Sequence, residues 1–278
     1  MVYKIRTRSG AAIPNVGLGT WRMGENEATH GEEVRALTLG LDLGLRLIDT
    51  AEMYADGGAE RLVGDAIEGK RDEVFLVSKV LPHNASYAGT LSACERSLER
   101  LRTSWIDLYL LHWPGEHPVE ETLRGFTTLV EQGKIRHYGL SNFDLDEMER
   151  AEAWPGGSRV AVDQVLYNLG RRGIERRLIP WCASRKIAIM AYSPLEQGRL
   201  RPNDALRRVA QRHGATPAQI ALAWTLRHDN VIAIPRAKQP VHVRDNAKAA
   251  DFILTEEDTA DIDRAFPPPR RDVPLDTL

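Results

Sequence analysis

Short apolar runs and longer stretches of helical period alternate eight times along this chain, and that rhythm constrains the fold more than any single motif. Candidate strands fall at residues 16–19, 47–49, 74–78, 106–111, 135–140, 160–165, 187–192 and 231–234. Helical patterns follow them at 32–43, 59–68, 91–101, 119–132, 145–153, 174–184, 205–213 with 216–227, and 243–249. The run Val74-Phe75-Leu76-Val77-Ser78 reads as a strand buried on both faces, as parallel strands are. Punctuation agrees with the periods. Gly69 and Gly133 stop helices, and Thr216-Pro217-Ala218-Gln219 supplies a cap, a proline at the first position and a box-closing glutamine. Thr255-Glu256-Glu257-Asp258 opens an extra C-terminal helix, which Pro267-Pro268-Pro269 ends. Repeated strand–helix units predict a parallel sheet with helical crossovers. Eight of them in 278 residues predict an α/β fold closed as a (β/α)8 TIM barrel, preceded by a β-hairpin from residues 3–6 and 11–13 around Ser9-Gly10. No linker or shift in composition divides the chain, so residues 1–278 are expected to form a single domain.

The residue after each apolar run is polar. Asp49 ends the second strand, Ser78-Lys79 the third, and His112 follows the fourth. Ser141-Asn142 follow the fifth, Gln164 lies within the sixth, Tyr192-Ser193 end the seventh, and Pro235-Arg236 follow the eighth. In a barrel these ends open onto one face, where active sites are built. Each residue alone has a plain explanation: Asp49 as a turn residue, Lys79 as a solvated charge, Tyr54 as a packing aromatic, Gln164 as a satisfied polar group. Together they predict a polar ring around one mouth.

Composition removes other classes. A formal charge of −2 offers no basic field for nucleic acid or anionic lipid. No apolar run approaches the ~18 residues of a membrane span, and the opening residues carry no signal-peptide core. A cytoplasmic monomer is the expectation. Cys94 and Cys182 have neither metal spacing nor a framework of pairs and read as reduced, buried thiols. His112 and His117 have no third ligand near them, so no metal is expected. Residues 64–70 mimic a phosphate-binding loop, but Arg71 replaces the required Ser or Thr and the segment reads as an amphipathic helix ended by Gly69.

Seven segments carry a family resemblance: Gly17-Leu18-Gly19-Thr20-Trp21, Leu47-Ile48-Asp49-Thr50-Ala51 with Tyr54, Ser78-Lys79, Leu110-Leu111-His112-Trp113, Gly139-Leu140-Ser141-Asn142-Phe143, Tyr192-Ser193-Pro194-Leu195, and residues 234–246. Over nearly its whole length the chain resembles the aldo-keto reductases, and among them bacterial members of the methylglyoxal reductase type. The resemblance implies a catalytic set of Asp49, Tyr54, Lys79 and His112, with NADP(H) extended across the barrel mouth. No dinucleotide fingerprint is needed for that, and Arg22 stands where its third glycine would be. It places Gly19, Thr20, Trp21 and Asp49 beside the coenzyme, Ser141, Asn142 and Gln164 on the carboxamide, and Tyr192 against the nicotinamide ring. Ser193, Leu195, Gln197 and Gly198 would hold the pyrophosphate. Ile234, Pro235, Arg236, Ala237, Lys238 and His242 would surround the ribose 2′-phosphate, with Asp245 and Asn246 on adenine. His242 and Ala237 depart from the family pattern, and Lys238 and Arg244 are the cations expected to compensate. Trp21, Met53, Tyr54, His112 and Trp113 would line an open pocket for small aldehydes such as methylglyoxal, with sugar-derived keto acids second.

The chemistry explains the residue types. Hydride delivered to a carbonyl carbon leaves negative charge on oxygen, so a proton donor must stand there. A lysine ~4 Å from a phenol attracts its phenolate by on the order of 4 kcal/mol at an effective dielectric of about 20, which predicts a lowered Tyr54 pKa. Asp49 would keep the buried Lys79 charged, and His112 would donate to the carbonyl oxygen. Two rival readings are a non-catalytic NADP(H)-sensing protein on the same fold and a barrel isomerase or lyase. The intact set of four residues argues against the first, and the second would need a carboxylate base and no nicotinamide site.

Overall fold

The computed structural model describes residues 2–278. It opens with an antiparallel hairpin, β1 (Lys4–Arg6) and β2 (Ala12–Pro14). Eight parallel strands follow in chain order: β3 (Gly17–Gly19), β4 (Leu47–Asp49), β5 (Phe75–Val80), β6 (Ile106–Leu111), β7 (Ile135–Ser141), β8 (Val162–Leu166), β9 (Ala188–Tyr192) and β10 (Val231–Ala233). Helices α1 (His30–Asp42), α2 (Gly58–Ala66), α3 (Tyr87–Leu101), α4 (Val119–Glu131), α5 (Leu145–Ala153) and α6 (Leu178–Ser184) occupy the first six crossovers. Both α7 (Asp204–Arg212) and α8 (Pro217–Thr225) lie between β9 and β10, and α9 (Pro240–Ala249) and α10 (Glu256–Ala265) complete the chain. The sheet closes where Val16 bridges Ala233 and the Ala233 N–H donates to the Asn15 carbonyl.

Period-two alternation decides what points inward. Leu47, Val77, Leu108, Leu110, Val162, Ala188, Met190 and Ile232 fill the barrel, and Ile5 and Ile13 of the hairpin pack against them as a stopper at its N-terminal end. Their alternates, among them Leu18, Ile48, Leu76, Tyr109, Val165 and Ile189, form the layer between sheet and helices. Two residues beyond Leu47, Val77, Leu110, Val162 and Met190, the same inward parity delivers Asp49, Lys79, His112, Gln164 and Tyr192. Apolar packing below thus fixes polar groups above.

Caps behave as the sequence predicts. Thr216 and Gln219 form a reciprocal capping box with Pro217 at the first position, and Thr255 and Asp258 form another. Residues 174–184 depart from expectation. They do not make one helix, because a single turn at Gly173–Glu175 precedes α6. Pro180 lacks an N–H and fits only the first turn of a helix, so α6 begins just before it. The Glu175 carboxylate meanwhile faces Arg172 and Arg227. The segment mimicking a phosphate-binding loop lies in α2 and the turn after it, where Gly69 has φ +72°. Among the described residues, no helix is long and apolar enough to cross a membrane.

Candidate active site

Strands β4, β5, β6 and the loop after β4 bring the four predicted catalytic residues together. The Lys79 ammonium is fully buried and donates to Asp49 Oδ2 at 2.8 Å, to the Thr50 carbonyl at 2.8 Å and to the Tyr54 hydroxyl at 3.1 Å. Asp49 Oδ1 accepts from Gln164 Nε2 at 2.7 Å. Tyr54 is wedged between Trp21 and His112, with ring centroids 5.0 and 5.7 Å away, and Trp113 lies 4.8 Å beyond His112.

Electrostatics correct one expectation. Burial pushes the Tyr54 phenol above its ordinary pKa, and Lys79 only partly offsets that, so the net shift is upward. Lys79 goes the way the sequence predicts. Burial disfavours its charge, but Asp49 and then Tyr54 more than compensate, and its pKa is raised. For His112, burial and then the Lys79 charge lower the pKa to about 2, so the ring is neutral at ordinary pH. Its Nδ1 is buried with no partner among the described residues.

The Tyr54 loop is built by groups that no motif announced. Glu52 accepts from the Leu81 N–H and from Asn84, tying the loop to the end of β5. Glu60 is fully buried and accepts from the Ser78 hydroxyl and from Arg100 Nε, both at 2.5 Å. Arg100 also fills the space that a Cβ on Gly57 would need. Between them Ala55 and Asp56 take left-handed backbone conformations. Of the nine non-glycine residues with positive φ among those described, seven (Arg22, Ala55, Asp56, Asn142, Ser193, Glu196 and Gln197) lie in loops leaving the C-terminal ends of barrel strands. Such strain gathers at functional sites.

A cleft of about 1060 Å³ runs across this mouth. Its lining includes Gly19, Trp21, Asp49, Met53, Tyr54, His112, Trp113, Ser141, Asn142, Gln164 and Tyr192, and also Ile234, Pro235, Arg236, Ala237, Lys238, His242, Asp245 and Asn246. Ser193, Leu195, Gln197 and Gly198 lie along its side. Asn142 donates to the His112 carbonyl and accepts from the Tyr192 hydroxyl at 2.9 Å, and Ser141 donates to the Gln164 carbonyl. Gly19 approaches the chain after β10 closely, since a Cβ there would sit 2.8 Å from the Ile234 carbonyl oxygen. Two predicted coenzyme contacts stand apart. Thr20 lies behind the lining, fully buried, with its hydroxyl donating to the Asp49 carbonyl. Lys238 is on the lining, but its ammonium is 2.6 Å from the Glu33 carboxylate. Arg244, expected to compensate, is exposed and not part of the lining. Arg236 has no ion-pair partner among the described residues. Sequence reasoning missed Arg22, Leu278 and the start of α8 (Pro217 and Ala218), all of which line the cleft. The helix start was evident, but not the face it meets. No cluster of three or more metal-ligating side chains occurs among the described residues.

Comparison with known proteins agrees with this geometry. Residues 15–266 match the model of the aldo/keto reductase family. The chain is 48% identical to methylglyoxal reductase YeaE of Escherichia coli, over 99% of this chain and 98% of that protein. It is 37% identical to glyoxal reductase of Bacillus subtilis, over 93% and 91%. Among solved structures, an aldo/keto reductase from Klebsiella pneumoniae in complex with NADP and acetate superposes with a TM-score of 0.96 at 48% identity, each chain covered in full. Together the matched family model and these full-length similarities establish that this chain belongs to the aldo/keto reductase family.

Proposed function

We propose that this chain reduces small aldehydes and ketones of the methylglyoxal and glyoxal kind to alcohols, using NADPH. The observation that carries the reading is the Tyr54 hydroxyl held 3.1 Å from the Lys79 ammonium at the barrel mouth. The relatives that are reductases of methylglyoxal and of glyoxal, and the relative solved with NADP, support the substrate and coenzyme classes.

The cleft fits an extended dinucleotide. Near Tyr54 it offers side-chain amides on Asn142 and Gln164 and an aromatic face on Tyr192, a set matched to a carboxamide-bearing ring. Elsewhere on its lining Arg236 offers a guanidinium without an ion pair among the described residues, suited to forking onto a phosphate. When bound, the coenzyme supplies the hydride. The chain's own residues handle the oxygen. Tyr54 donates its phenolic proton there as charge develops, and the Lys79 ammonium stabilises the phenolate left behind. Asp49 keeps Lys79 protonated in a site that would otherwise discharge it. His112 is neutral and acts as a hydrogen-bond donor. With Nδ1 buried and unpartnered, we assign the proton to Nε2, since an orphaned N–H is the costlier choice. Trp21, Met53 and Trp113 supply apolar walls for a small carbonyl.

The reading extends to one catalytic domain acting as a monomer in the cytosol, supported by a single barrel formed by β3 to β10 and by two buried free thiols, Cys94 and Cys182. The test mixes enzyme, NADPH and methylglyoxal and follows loss of the reduced-nicotinamide absorbance. Wild type should consume coenzyme, and Tyr54→Phe should lose about 10²- to 10⁴-fold in kcat. Equal turnover by both proteins would exclude Tyr54 as the donor. Tight NADPH binding without turnover by wild type would instead favour a sensor.

A further inference from the structure

Two neighbouring cations on the lining of the cleft, Arg236 and Lys238, differ in electrical state. Arg236 has no ion-pair partner among the described residues, whereas the Lys238 ammonium lies 2.6 Å from Glu33 Oε1. Glu33 belongs to α1, and its side chain is only 2% exposed. Its other oxygen accepts from the Gly24 N–H at 2.8 Å, and Oε1 also accepts from the Thr29 hydroxyl. Below the pair, Ala36 and Leu39 of α1 pack with Ala237 and Val243, so helix and loop are held in register.

We propose that Glu33 is a specificity-determining residue: by tying down the Lys238 ammonium it sets how strongly the chain prefers a coenzyme bearing a 2′-phosphate. A buried carboxylate stripped of its cation is costly, so the pair stays closed and Lys238 adds no net charge at the phosphate end. Of the two cations Arg236 is then left to discriminate there, with His242 also on the cleft wall. Arg236 and Lys238 are therefore not equivalent, although the sequence presents them as one basic cluster. The inference rests on the NADPH reading above, and deepens it.

The test compares kcat/KM for NADPH and for NADH, with methylglyoxal as acceptor. In Glu33→Gln the amide oxygen still accepts from Gly24, but Lys238 is released. The NADPH-to-NADH ratio should rise about fivefold or more, the scale of one added charge-assisted hydrogen bond. The gain should steepen with falling ionic strength, which a loosened loop would not produce. In the double variant Glu33→Gln/Lys238→Met, an uncharged pair replaces a neutral ion pair, and the ratio should stay within about twofold of wild type. The proposal is overturned if folded Glu33→Gln shows an unchanged or lower ratio. It is equally overturned if the double variant loses selectivity as Arg236→Ala does, since Lys238 would then be a phosphate ligand in its own right. The double variant decides the matter alone if Glu33→Gln does not fold. Arg236→Ala serves as the control: if it leaves the ratio unchanged, the NADPH reading fails, whatever Glu33 does.

Discussion

Gln164 donates its side-chain amide to Asp49 Oδ1 at 2.7 Å, while Lys79 occupies Oδ2 of the same carboxylate. One carboxylate therefore joins the residue predicted to face the nicotinamide to the residue that steadies the phenol. With Nε2 committed to Asp49, the Gln164 oxygen remains as an acceptor for a carboxamide N–H.

That link would make Gln164 more than the coenzyme contact proposed for it. Gln164→Leu should lower kcat by about 10- to 100-fold, the scale of one lost hydrogen bond to a charged group, besides weakening coenzyme binding. Steady-state kinetics alongside a coenzyme titration separate the two effects. A change in coenzyme affinity alone would show that the Asp49 contact has no catalytic consequence.

The pH profile follows from the direction of three shifts. Tyr54 and Lys79 are both raised, so the proton-donating form persists through neutral pH, and the rate of reduction should fall only above about pH 10, the ordinary phenol value. His112, at about 2, should add no inflection near neutrality. A bell-shaped kcat profile with a limb near pH 6–7 that disappears in His112→Gln would contradict this assignment.

Stability should respond to the same histidine. Its folded pKa is depressed, so its contribution is complete above the unfolded value of about 6.5 and declines as pH falls below it, where the unfolded chain takes up a proton that the fold refuses. His137 and His228 are shifted the same way, also chiefly by burial. Melting temperatures measured from pH 7 to 5 should fall, and His112→Gln should flatten that slope.

Barrel closure at Gly19 is sterically tight. In Gly19→Ala the new methyl would meet the Ile234 carbonyl oxygen at 2.8 Å. Overpacking of this sort costs about 1–3 kcal/mol, measurable by urea unfolding, and the displaced strand end should also raise the coenzyme KM. Unchanged stability would mean that the two strand ends separate freely.

Arg100 holds the buried Glu60, which in turn holds Ser78 beside Lys79. Arg100→Met strands a carboxylate and should destabilise the fold by about 3 kcal/mol in chemical denaturation. A loss near zero would show that the fold does not depend on the Arg100 contact to hold Glu60.

The barrel and most of its mouth were legible in the sequence because inward parity is a local property. Leu47 and Asp49, or Val77 and Lys79, declare a packed face and its polar end within three residues of each other. What escaped depends on distance or on backbone. The Glu33–Lys238 pair joins α1 to the loop after β10, and only the folded barrel makes them neighbours. Thr20 sits in a family motif, yet its hydroxyl turns to the Asp49 carbonyl and away from the cleft. The direction of the Tyr54 shift was missed because the Coulomb argument counted Lys79 and left out the burial that outweighs it. The break before α6 was written in Pro180, whose demand for a first-turn position outranks the apolar period around it.

The left-handed residues around the mouth carry a lesson for mutagenesis. At Ala55, Asp56, Asn142, Ser193 and Gln197 the chain relies on torsion angles as much as on functional groups, so alanine scanning would sample the wrong variable. Glycine would relax these positions and a β-branched residue would resist them, and that contrast would map the rim by its tolerance for shape.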